Sequence, residues 1–154
     1  MKKSIIQFSV LISLLLGTQK LSAHCEIPCG IYGDSLRIAL ISEHITTIEK
    51  SMNKINELAD KNDNNQLIRW VINKEEHAKK LQEIVSQYFL HQRIKPTDPA
   101  NSTAYKQYIQ KLELLHKLLV YSMKAKQSTD LLYIEKLRET LHSFEHAYFE
   151  NHTH

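Results

Sequence analysis

Apolar residues return along most of this chain at alternating intervals of four and three. From Ser35 onward Ile41, Ile45, Ile48, Met52, Ile55 and Ala59 keep that rhythm, which lays them along one face of a helix. The helix is expected to end near Asp60, where DKNDNNQ has the composition of a loop. A second stripe, Leu67, Val71, Ala78, Leu81, Val85 and Tyr88, starts about Leu67 and fades after Phe89 into RIKPTDPANS, whose two prolines and Asn-Ser break the chain. The third stripe is Tyr105, Tyr108, Leu112, Leu115, Leu119 and Ser122; the fourth is Ile134, Leu137, Leu141, Phe144 and Tyr148. Between them QSTD offers Ser128 or Thr129 as a helix N-cap, with Asp130 placed to meet the positive end of the helix dipole. Four amphipathic helices of similar length with short links predict an all-α, up-down-up-down four-helix bundle whose core is made of the stripe residues. With three glycines and three prolines in 154 residues, a turn-rich β-sandwich is a poor alternative.

The first residues follow a different pattern. MKKSIIQFSVLISLLLGTQKLSA has a basic start at Lys2 and Lys3, an apolar run from Ile5 to Leu16 and a small-residue ending at Ala23, the anatomy of a secretory signal peptide. The run is short for a membrane span, which takes roughly 20 residues. Two segments are therefore expected: 1–23, removed by a signal peptidase, and 24–154, the exported domain, periplasmic or secreted and without stable membrane association. Removal takes away Lys2, Lys3 and Lys20 and no acid, so the formal charge of +3 becomes 17 basic against 17 acidic residues. A neutral domain has no net positive field to attract nucleic acid or an anionic membrane.

Both cysteines of the chain stand in HCEIPCGIY, immediately after the expected cut. Cleavage after Ala23 gives His24 a free α-amine. That amine and the Cys25 amide nitrogen are adjacent along the chain and can bind one metal in a five-membered ring. The Cys25 thiolate closes a second ring and Cys29 can return to the fourth corner. Two nitrogens and two sulfurs in a plane suit Ni(II) or Cu(II), whereas zinc prefers a tetrahedron. Pro28 fixes the turn that brings the sulfurs together, Gly30 lets the backbone pass close to a metal or turn sharply, and the His24 imidazole is available as a fifth, axial ligand. The other histidines carry no such pattern. His77, His91, His116, His142 and His146 are expected at the surface; His142 and His146 lie one turn apart but lack the glutamate of H-E-x-x-H.

H-C-x-x-P-C-G-x-Y ahead of four helices resembles the nickel-containing superoxide dismutases: His24, Cys25, Pro28, Cys29, Gly30 and Tyr32 stand where that family has its nickel hook. The resemblance implies dismutation of superoxide to dioxygen and hydrogen peroxide by Ni(III)/Ni(II) cycling, with one nickel ion per chain. It assigns the metal to the His24 amine and imidazole, the Cys25 amide and thiolate and the Cys29 thiolate. Tyr32 would guard the open face, and a homohexamer would clamp each hook against a neighbouring subunit. The chain departs from members that carry Asp and Leu where it has Glu26 and Ile27. For the groups that steady the axial imidazole, a glutamate and an arginine in those members, Glu43 and His77 are the candidates here.

Three rival readings use the same residues. A Cys25–Cys29 disulfide would close a loop too small to stabilise a bundle much. Lipidation of Cys25 would remove His24, but histidine is a poor fit before a lipidated cysteine. A non-catalytic metal-binding bundle would share the ligands and consume no superoxide.

Overall fold

Helix starts and stops in this chain follow from polar side chains at a few positions. In the computed structural model, which describes residues 30–150, α1 spans Asp34–Leu58, α2 Asn64–Glu83, α3 Ser102–Gln127 and α4 Leu132–Phe149. The Asp63 carboxylate accepts from Gln66 N at 3.2 Å to open α2, and the Asn101 side chain accepts from Ala104 N at 3.2 Å to open α3. The last helix opens later than QSTD suggested. Ser128 accepts from Asp130 N, and Asp130 Oδ1 accepts from Leu132 N at 2.9 Å, so Asp130 meets the first free amide and neither Ser128 nor Thr129 is the cap.

Helix α2 does not fade after Phe89. It runs on as a π-helix over Ile84–Arg93, ending with Ile94 N donating to Phe89 O at 2.9 Å, a bond across five residues. This wider winding brings residues five apart into line. Tyr88 and Arg93 are such a pair, and both reach Asp34 at the head of α1.

Each helix packs on its chain neighbours, and α1 also packs on α4, which closes the four into a bundle. Side-chain contacts give the directions. The head of α1 meets the tail of the α2 extension and the tail of α4 through Tyr88 and Tyr148, while Lys74, midway along Asn64–Glu83, meets the tail of α3. Neighbours are therefore antiparallel, as the short links require. Ile41, Ile45, Ile48, Met52, Leu81, Val85, Leu115, Leu118, Leu137 and Phe144 are fully buried between them. At the Asp34 end the core becomes aromatic: Phe89 stands edge-on to Phe144 at 5.0 Å and to Tyr148 at 5.5 Å, the arrangement ring quadrupoles favour.

The opposite end departs from the stripes. Val71 is exposed, as are Ile68 and Ile72, and Ala59 lies at the surface. The inward position there belongs to Lys74, 4% exposed, whose ammonium donates to Ala125 O at 3.0 Å, Ser128 O at 3.1 Å and Lys126 O. These carbonyls end α3 and have no helical partners, so a buried cation there satisfies them and meets the negative end of the helix dipole. Among the described residues no helix is long and apolar enough to cross a membrane.

Candidate metal centre

The described chain begins at Gly30 with φ of +81°, the only positive φ among the described residues. A left-handed backbone suits a residue without a Cβ, and it turns the chain sharply just after Cys29. Three residues later the chain is fixed to the bundle. Gly33 N donates to Tyr88 Oη at 2.9 Å, and the Tyr88 hydroxyl in turn donates to Asp34 Oδ1. Asp34 also receives Arg93 through two parallel bonds, Nε to Oδ1 at 2.8 Å and Nη2 to Oδ2 at 2.7 Å, and the Tyr148 hydroxyl at 2.9 Å. One carboxylate thus ties together the head of α1, the tail of α2 and the tail of α4.

Electrostatics favour that arrangement. Burial pushes the Asp34 carboxyl up, but the bonds from Arg93, Tyr88 and Tyr148 outweigh it and hold the group below its ordinary value. Burial first, and then the same carboxylate, raises Tyr88 to about 12 and pushes Tyr148 up as well, so both phenols remain donors at neutral pH. Arg93 is held charged by Asp34 and faces a second partner, with its guanidinium carbon 4.2 Å from the centre of the Tyr32 ring. Tyr32 also meets Tyr88 edge-on at 6.0 Å. Its ring is thereby held on two sides while 43% of the residue stays open to solvent. Arg37 lies 5.1 Å over the Tyr88 ring and adds a second positive charge nearby.

A cavity of about 300 Å³ runs from Tyr88 and Arg37 between α1 and α2 to His44 and Lys80. At its far end His44 Nδ1 and His77 Nδ1 are 3.1 Å apart, so one of these nitrogens donates and the other accepts. Burial, and for His44 the neighbouring His77, lowers the pKa of this ring; burial and Lys80 lower His77. His77 is therefore tied into a pair between the helices, whereas His91, His116, His142 and His146 are exposed. Glu43 is exposed on α1 beside this pair and biases both rings toward the charged form.

Of the residues singled out from the sequence, Tyr32 lies at the head of the bundle, Glu43 and His77 sit by the histidine pair, and His24, Cys25 and Cys29 lie outside the described residues. Sequence reasoning passed over Asp34, Arg93 and His44, and took Tyr88 and Tyr148 as core alone. Both tyrosines are core by burial, yet each carries a hydroxyl that needs a buried partner. Two such tyrosines on different stripes, with an arginine five residues past Tyr88, were the available signal.

The family model of nickel-containing superoxide dismutases matches residues 19–152, which takes in the whole His24–Tyr32 run and all four helices. The chain belongs to that family. It is a nickel superoxide dismutase, an oxidoreductase acting on superoxide. No curated protein and no solved structure matches the chain.

Proposed function

We propose that this nickel superoxide dismutase carries its metal at a mature N-terminus beginning with His24. The His24 amine and imidazole, the Cys25 amide and thiolate and the Cys29 thiolate would hold one nickel per chain. The match across HCEIPCGIY carries this reading. The donor chemistry is compatible with it, since nitrogen and thiolate donors would suit nickel or copper, and the family match favours nickel. Among the described residues no group of three or more His, Cys, Asp or Glu side chains could hold a metal ion.

When bound, nickel supplies the one-electron chemistry, alternating between Ni(III) and Ni(II). Over a full cycle two superoxide anions and two protons give one dioxygen and one hydrogen peroxide. The protein's own part falls to Tyr32 and the groups behind it. Stacked on Arg93 and braced by Tyr88, the Tyr32 phenol offers its O–H to a small anion and narrows access for larger ones. Arg37 raises the local positive potential that draws an anionic substrate in. Asp34 keeps Arg93 in place, and with it the ring of Tyr32.

Export by a signal peptidase would expose the His24 amine, and the mature protein would work outside the cytoplasm as a homohexamer. Ile31 and Leu36, large apolar residues exposed on either side of Tyr32, suit a site that a neighbouring subunit covers. N-terminal sequencing of the mature protein with metal analysis tests the ligand set. A start at His24 with about one nickel per chain is expected, and a different first residue or a Cys25–Cys29 disulfide in active enzyme overturns it. One extra residue ahead of His24 should abolish dismutase activity while circular dichroism still reports the helices.

A further inference from the structure

Arg93 also lines a second cavity, whose lining does not include Tyr32. It encloses about 240 Å³ between the segment after α2, the first turns of α3 and the tail of α4. Arg93, Lys95, Thr97, Tyr108 and Lys111 line it, and its lining contains no Asp or Glu. A water occupies about 30 Å³ of liquid, so there is room for a small polyatomic anion with part of its hydration shell.

Lys111 gives the cavity its character. It is only partly exposed, and its ammonium lies 5.7 Å over the Tyr148 ring. Among the described residues it has no carboxylate partner, while five of the other lysines, Lys54, Lys61, Lys79, Lys80 and Lys117, pair with a glutamate one turn away. Burial alone pushes its pKa down, with no opposite charge to restore it. The carboxylates on the flanking segments are turned elsewhere: Asp34 to Arg93 and two tyrosines, Asp98 to Ala100 N, and Glu150 to His146. The half-buried Lys111 ammonium, which shares this lining with Lys95, Arg93, Thr97 and Tyr108, lacks a counter-charge of its own.

We infer that this cavity is a binding site for an oxyanion of the phosphate class, held by Lys111, Lys95 and Arg93 and separate from the N-terminal metal ligands. Arg93 forms one wall and also carries the Tyr32 ring. An oxyanion bound here touches the same guanidinium that positions Tyr32, so occupancy is felt at the head of the bundle. The inference does not depend on where nickel is held.

The test is a titration of the full, nickel-free chain with sodium phosphate, followed by backbone amide shifts, with sodium chloride at matched ionic strength as the control. Saturable shifts centred on Thr97, Tyr108 and Lys111, with a smaller response at Tyr32, are expected. Lys111→Met should weaken phosphate at least about tenfold, as loss of a charge-assisted hydrogen bond implies, and Lys111→Arg should retain it. Lys80→Met, in the other cavity, should leave it unchanged. Shifts that never saturate, that chloride reproduces, or that fall equally in Lys80→Met overturn the inference. So does undiminished phosphate binding in Lys111→Met. Should that variant fail to fold, the placement of the wild-type shifts decides on its own.

Discussion

At the scale of single residues, the head of the bundle rests on one carboxylate and one glycine. Replacing Asp34 by Asn leaves Arg93 without its ionic partner, and two tyrosine hydroxyls with a weaker acceptor. Both charged side chains are largely buried, 17% and 23% exposed, so a loss of about 1–3 kcal/mol in a urea melt is expected. The same variant should lower kcat/KM, because Tyr32 loses the fixed guanidinium on which it stacks; unchanged stability would show that Asp34 ties nothing together. Gly30→Ala tests the backbone instead. A Cβ there meets nothing within 4 Å, so no clash arises, and the cost is the left-handed φ alone, about 1–2 kcal/mol. Because that strain falls beside the proposed ligand Cys29, reduced nickel retention is the expected readout. Gly30's turn was legible from its place after Cys29. Asp34's role was not, because an acid at a helix start has an ordinary explanation in the dipole, and its partners lie 54, 59 and 114 positions away.

Among the helices, the buried stripes were readable because period and burial agree wherever two helices press together: Ile41, Ile45 and Ile48 in α1 and Ile134, Leu137 and Phe144 in α4. Agreement fails where something other than packing fills the inward position. Lys74 is the example, since no hydropathy pattern places a lysine inside. Its reason is the row of unpaired carbonyls at the end of a helix 51 to 54 residues further on. Lys74→Met is expected to cost about 1–3 kcal/mol by stranding those carbonyls, and hydrogen exchange should rise in the link between α3 and α4 before it rises elsewhere. An effect spread evenly over the molecule would count against the capping role. The π-helical end of α2 was equally hidden, because a shift from four-residue to five-residue bonding is set by what Tyr88 and Arg93 must reach.

For the molecule as a whole, the paired histidines set an acid limit. His44 and His77 both have folded-state pKa values below 6.5, with Lys80 opposing their charge and Glu43 and Glu76 favouring it. A lowered folded value means that the unfolded chain binds protons first. Their contribution is then complete above pH 6.5 and is lost as pH falls from there through the lower folded values. The melting temperature should accordingly drop on the acid side of 6.5, and His77→Asn should flatten that drop; an unaltered slope would place the acid sensitivity elsewhere. The aromatic end of the core has a different consequence. Phe89, Phe144 and Tyr148 seal the interior without any proposed nickel ligand among them, so stripping the metal should leave the helical signal and the melting temperature nearly unchanged. Loss of the ion is then a matter of ligand exchange, not of refolding, and a spent centre can be recharged on a scaffold that never comes apart.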